Sequence, residues 1–146
     1  RSAKMDLEDL MYTQRSYALG GFGVYAQSKL ANILFSFEFS RRLNGNGVTV
    51  NALHPGLVAT NIGSGHPLAK MAFRMMSHFA ITVEEGAQTP VYLASSSAVR
   101  GVSGRYFIKS QPVAADRAAY NLEAAYRLWE ICADLTQLGN TYLNRP

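Results

Sequence analysis

Apolar residues recur on a helical period between Phe22 and Leu43. Val24, Leu30, Ile33, Leu34, Phe37 and Leu43 are spaced by three, four and six positions. This predicts one long helix. Gly20 and Gly21 precede it, and Asn44, Gly45 and Gly47 follow as stop signals, because glycine accepts the left-handed geometry at a helix end. The next segment, Val48-Thr49-Val50-Asn51-Ala52-Leu53, starts β-branched and ends in His54-Pro55-Gly56, which reads as a strand running into a turn. From Pro67 to Ile81 the residues Leu68, Met71, Ala72, Met75 and Phe79 share one side, predicting a short amphipathic helix. Thr82-Val83-Glu84-Glu85 has the pattern of a capping box, so a further helix is expected to about Ser97, kinked or broken at Pro90. Gly104 to Lys109 predicts a second strand, left through Gln111-Pro112. A last helix is expected from Asn121 to Leu138, with Ala125, Leu128, Cys132, Leu135 and Leu138 on one stripe and Gly139 as its stop.

The order helix, strand, helix, helix, strand, helix is that of an α/β protein whose helices cover a parallel sheet. Two strands are too few for such a sheet, since parallel strands are buried on both faces and need neighbours. Further strands are therefore expected upstream of Arg1. The chain opens on Arg1, with no basic, apolar leader behind it, and reads as cut at its front.

The 146 residues are 48% apolar and 16% charged, which excludes a disordered chain and supports one domain with a real core. Lys and Arg number 14 against 10 Asp and Glu, scattered without a basic run, which argues against nucleic acid as a partner. The single cysteine, Cys132, cannot form an internal disulfide and is expected to face the core, so a reducing, cytoplasmic setting is expected. No apolar stretch approaches the roughly 18 to 20 residues of a membrane-spanning helix.

Tyr25 and Lys29 stand four apart on the long helix, on one face and about 6 Å apart along its axis. A free phenol exchanges protons poorly at neutral pH, but a neighbouring ammonium favours its ionised form and makes it usable as a general acid/base. For an isolated Tyr-x-x-x-Lys, a chance pairing on a helix face is the commoner explanation, so the surrounding sequence has to decide. That context is Val24-Tyr25-Ala26-Gln27-Ser28-Lys29-Leu30-Ala31-Asn32-Ile33-Leu34, followed about twenty residues on by Val48 to Leu53 and His54-Pro55-Gly56-Leu57-Val58-Ala59-Thr60.

These two motifs, helix then strand, resemble the short-chain dehydrogenase/reductase family. Ser28-Lys29-Leu30-Ala31-Asn32-Ile33-Leu34-Phe35, Glu84 to Pro90 and Arg127-Leu128-Trp129-Glu130 are similar to its retinol dehydrogenase and WW-domain oxidoreductase branch. The resemblance covers nearly the whole chain. It implies an α/β fold, the C-terminal part of a doubly wound Rossmann-type parallel sheet with the N-terminal strands missing. Residues 1–146 would be the catalytic half of one such domain, with a lid over the substrate at about 61–81. It implies Tyr25 as the acid/base and Lys29 as the group that activates it and holds the nicotinamide ribose. Pro55, Gly56, Val58 and Thr60 would line the cofactor. The implied cofactor is NAD(P), with NADP the expected form. The implied partner is a small lipophilic alcohol or carbonyl substrate, and two copies could pair through the long helix 22–43.

Two parts of the family pattern find no place: the glycine-rich phosphate loop, and the Asn and Ser that complete the site. Ser2 has no strand before it and is not taken as that serine. Gly21-Phe22-Gly23-Val24-Tyr25-Ala26 imitates a dinucleotide fingerprint but lacks a strand before it and a suitably placed acidic residue, so it is set aside. His54 and His78 lack regularly spaced partners, so no metal is expected. Met71, Met75, Met76, Phe73 and Phe79 suit a plain core, a lid over a lipophilic ligand, or contact with a membrane surface. The expected activity is hydride transfer between nicotinamide and an apolar alcohol, aldehyde or ketone, with the 146 residues inactive by themselves. The competing reading is a non-catalytic binding or assembly module that keeps the fold.

Overall fold

The computed structural model describes residues 5–14, 21–58 and 80–138. In chain order these form helix α1 (Phe22–Arg42), strand β1 (Ala52–His54), helix α2 (Val83–Ser95), strands β2 (Tyr106–Ile108) and β3 (Gln111–Val113), and helix α3 (Leu122–Leu135). Short 3₁₀ turns at Ser97–Val99 and Arg117–Tyr120 precede β2 and α3. The chain folds as two compact units, one of Arg1–Ala52, Gly101–Tyr106 and Ala114–Pro146, the other of Leu53–Arg100 and Phe107–Val113.

In the first unit the apolar stripe of α1 is covered by α3. Leu30, Leu34 and Phe37 are buried together with Ala119, Ala125 and Leu128, and Leu34 has no exposed surface at all. Cys132 packs half-buried against this core, and burial pushes its thiol above the usual range. Further along the same seam Trp129 stacks on Phe35 with ring centres 4.9 Å apart, and Phe39 tilts against it at 5.4 Å. The Arg42 guanidinium covers the other rings, 4.7 Å from Trp129 and 5.5 Å from Tyr126. Arg42 also pairs with Glu130 and, at 2.7 Å, with the buried Glu38, which Arg41 holds from its other oxygen. Burial works to raise the Glu38 carboxyl, but the hydrogen bonds and charges of Arg41 and Arg42 outweigh it, leaving the group below its ordinary 4.5.

The loop 5–14 is closed on itself by Asp9 and tied to this unit through Asp6 and Glu8, with Met5, Leu7 and Leu10 packed against the core. The Asp9 carboxylate accepts the Thr13 and Gln14 amides, the Gln27 side-chain amide donates to the Asp6 carbonyl, and Arg127 pairs with Glu8. With the stripe of α1 occupied by α3, a pairing of two copies through 22–43 would have to use the opposite side, where Phe22, Lys29 and Asn32 are exposed.

β1 lies beside β2, and β2 beside β3. The first pair is parallel, since Gly104 donates to the Val50 carbonyl and Ala52 to that of Arg105, advancing together along both chains. The strand predicted from Val48 begins only at Ala52, because side chains replace the ladder before it. The Val50 amide donates to Ser103 Oγ, the Asn51 amide group donates to the Val102 carbonyl, and Asn51 Oδ1 accepts from Arg105. The third strand was not foreseen from the sequence. β2 and β3 form a hairpin turned by Lys109 and Ser110, whose φ values of 49° and 59° match a two-residue I′ turn. Pro112, which looked like the end of a strand, sits within this exposed outer strand, where a missing N–H is tolerated.

α2 begins with the capping box read from the sequence: Thr82 Oγ1 accepts from Glu85 N, and the Glu85 carboxylate accepts from Thr82 N. The helix continues through Pro90 without the break that residue suggested, held by that cap and by the buried Gly86 and Thr89. Ile81, expected in a helix, is extended and bridges to Val58 in parallel. Ala80 is likewise not helical, and residues 67–79 of the predicted helix and 61–79 of the expected lid lie outside the described residues. α3 stops before the predicted Leu138. Gln137 takes φ 53°, its amide donates to Asp134 O, and Leu138 N donates to Ala133 O, a Schellman closure built without the expected glycine. Gly139 lies outside the described residues. No helix among them is long and apolar enough to cross a membrane.

Two outcomes follow. Gln137→Gly relieves a left-handed residue bearing a Cβ and raises stability by about 1 kcal/mol in urea unfolding. The Glu38 pairing contributes fully above the carboxyl's ordinary value of 4.5 and is lost as pH falls through its lower folded value. Glu38→Gln therefore lowers stability by about 2 kcal/mol at neutral pH and flattens the acid side of the stability curve, read from unfolding midpoints at several pH values.

Candidate functional site

The residues singled out from the sequence fall into two groups, one in each compact unit. In the first, the helical period that buries Leu30, Leu34 and Phe37 turns Tyr25 and Lys29 outward. Tyr25 is 60% exposed, so its phenol is open to a reactant. Lys29 Nζ lies 5.2 Å from the centre of the Tyr25 ring, a cation held against the π face. Ser28, between them, turns back and donates to the Tyr25 carbonyl at 2.8 Å. The helix opens on Gly21 in a left-handed conformation (φ 81°), and a Cβ at Gly23 would lie 2.9 Å from the Tyr12 hydroxyl. Gly23 thus leaves room for the Tyr12 hydroxyl at the start of the helix. Ser2 lies outside the described residues.

In the second unit, the end of β1 opens into a turn and a cavity of about 460 Å³. Pro55 and Gly56 line it with His54, and Leu57, Ile81 and Ile108 supply apolar walls. Glu85, Gln88 and Thr89 enter from α2 and Lys109 from the hairpin turn. Thr89 Oγ1 accepts from Ser110 N at 3.0 Å, pinning the hairpin to the helix. Gly56 has φ 96°, and a Cβ there would fall 2.6 Å from Ile81 Cδ1. The Gly56 amide donates to His54 Nδ1 at 2.7 Å.

Of the four residues expected along the cofactor, Pro55 and Gly56 line this cavity. Val58 does not. Its backbone bridges to Ile81, and its side chain fills the space left by Gly86, where a Cβ would stand 2.6 Å from Val58 Cγ2. Thr60 lies outside the described residues, as does His78. Among the described residues no three His, Cys, Asp or Glu side chains come together as metal ligands. The sequence places His54 in the turn but gives it no role there, and it does not mark Ile81, Gln88, Thr89 and Lys109 for the wall. The available signal was the His-x-Gly spacing, in which a side-chain acceptor stands two residues before an amide.

Comparison with known proteins sets this geometry in context. The chain is 50% identical over 111 residues to Retinol dehydrogenase 14 of Homo sapiens, a match that takes in 73% of this chain and 33% of that protein. It is 36% identical over 132 residues to Retinol dehydrogenase 12 of Homo sapiens, covering 90% and 41%. It is 39% identical over 141 residues to Retinol dehydrogenase 13 of Mus musculus, covering 92% and 42%. The chain thus spans 33% to 42% of the length of these curated relatives. A crystal structure of an uncharacterized protein from Mycobacterium Paratuberculosis matches with a TM-score of 0.63 and 30% identity, over 92% of this chain and 45% of that one. No family model matches.

The Gly56 geometry makes a direct prediction. Gly56→Ala lowers stability by about 1–3 kcal/mol in thermal or urea unfolding, from the positive φ and the collision with Ile81 together. Shortening the neighbour with Ile81→Val in the same chain recovers the steric part and leaves the backbone part.

Proposed function

This chain is a homologue of the retinol dehydrogenases, a branch of the short-chain dehydrogenase/reductases, and on that premise we propose that the protein carrying it is an NAD(P)-dependent oxidoreductase that interconverts an apolar alcohol and its aldehyde or ketone. The observation that carries the proposal is the Tyr25–Lys29 pair: an exposed phenol with an ammonium against its ring, on a helix whose opposite side is fixed in the core.

In this reading Tyr25 Oη gives or takes the proton of the substrate hydroxyl, a general acid/base role. The Lys29 ammonium lies against the Tyr25 ring and offers its N–H donors to ribose hydroxyls. A bound nicotinamide would supply the hydride donor or acceptor. The residues present fit such a group. Pro55 and Gly56 form part of the wall of a cavity of about 460 Å³, within the roughly 300–1,000 Å³ of small-molecule sites. Pro55 and Gly56 would border the ring, with Val58 and Thr60 continuing the same segment. NADP is the proposed form of the cofactor. The proposed substrates are lipophilic, retinol and retinal being the first to try. Two copies would pair across the open side of α1.

The test is turnover of retinol with NADP⁺ by the purified full-length protein. Tyr25→Phe is expected to lower kcat by about 10²- to 10⁴-fold with the circular dichroism spectrum and melting temperature unchanged. An undiminished rate in that variant would remove Tyr25 from the chemistry and the proposal with it.

A further inference from the structure

His54 closes β1, and its Nδ1 accepts the Gly56 amide at 2.7 Å. The bond spans Pro55, so the imidazole does here what an Asn or Asp side chain does in an Asx-turn, holding the amide two residues on. It ties down a residue with little other freedom. Gly56 is at φ 96°, and its Cα faces Ile81, which is fixed by its own amide bond to Leu57 O at 2.8 Å. His54, Pro55 and Gly56 all line the 460 Å³ cavity, so the turn's shape is the cavity's shape on that side.

We infer that His54 is a positioning residue. With Nδ1 free of hydrogen it locks the Pro55–Gly56 turn as a wall of the cavity and so sets the affinity for the ligand held there. The ligand is the nicotinamide end of the cofactor, and in this the inference rests on the proposed function. A hydrogen at Nδ1 would turn the acceptor into a donor that cannot face another N–H, so the turn requires the tautomer whose hydrogen is on Nε2. The charged groups sharing the cavity wall are Glu85 on α2, whose carboxylate also accepts the Thr82 amide at 2.9 Å, and Lys109 in the hairpin turn.

The experiment compares full-length wild type, His54→Asn and His54→Leu. The asparagine Oδ1 can accept the same amide, and leucine cannot. Two quantities are read: hydrogen exchange of the Gly56 amide, which needs neither ligand nor catalysis, and the NADPH dissociation constant by fluorescence. His54→Leu is expected to accelerate Gly56 exchange and weaken NADPH by about three- to tenfold, the scale of one hydrogen bond. His54→Asn is expected to restore both to within about twofold.

Unchanged Gly56 exchange or unchanged NADPH affinity in His54→Leu overturns the inference, as does His54→Asn exchanging Gly56 as fast as His54→Leu. Wild type that binds NADPH with these His54 effects but turns over no alcohol sinks the proposed reaction and supports the inference. Wild type that does not bind NADPH overturns both.

Discussion

A helix of 3.6 residues per turn has only one way to bury Leu30, Leu34 and Phe37 against α3, and that fixes where every other side chain of α1 points. Tyr25 and Lys29 lie off this buried stripe and are carried outward. The face that carries them is therefore set by the core: the tighter the α1–α3 seam, the less α1 can turn and the more firmly the direction of that face is held. The seam is extended by polar groups as well. Buried Glu38 would be unfavourable alone and is held by two arginines, one of which also covers the rings of Trp129 and Tyr126.

The segment from Val48 to Gly56 uses a different device. Side-chain groups take over hydrogen bonds that backbone would make in a regular sheet. Asn51 bonds at both ends of its amide, Ser103 takes the Val50 amide, and His54 takes the Gly56 amide. Each substitution of side chain for backbone shortens the regular strand and frees the chain to turn. The result is a three-residue strand between two specified irregular stretches, the second of which opens into a cavity. Ligand sites at the carboxyl ends of strands in α/β proteins need this kind of abrupt departure from the ladder.

How much of this was legible in the sequence depends on whether the signal was periodic, local or distant. The long helix was readable because its apolar spacing repeats over six turns, and the α2 cap because Thr82 and Glu85 are three apart and satisfy each other. The Tyr25–Lys29 pairing needed only helix geometry. The hairpin was hidden because Lys109 and Ser110 are not the Asn-Gly or Asp-Gly that usually mark an I′ turn, and Pro112 resembled a terminator. The stop at Gln137 was hidden for a similar reason: a visible glycine two residues later offered the better local signal, while the packed length of α3 decided the end. Side chains that wall the cavity, such as Ile81 and Thr89, come from separate elements, and no periodicity along the chain announces which of them will meet.

Trp129 is the single tryptophan of the sequence. It lies 7% exposed between Phe35, Phe39 and the Arg42 guanidinium, and its Nε1 is buried with no hydrogen-bond partner among the described residues. Its near-ultraviolet emission is thus a built-in optical gauge of the α1–α3 seam, with an indole whose donor is shielded from water while the helices stay together. Any event that parts them wets that donor and shifts the emission to longer wavelength, without a label and without a signal from elsewhere in these residues.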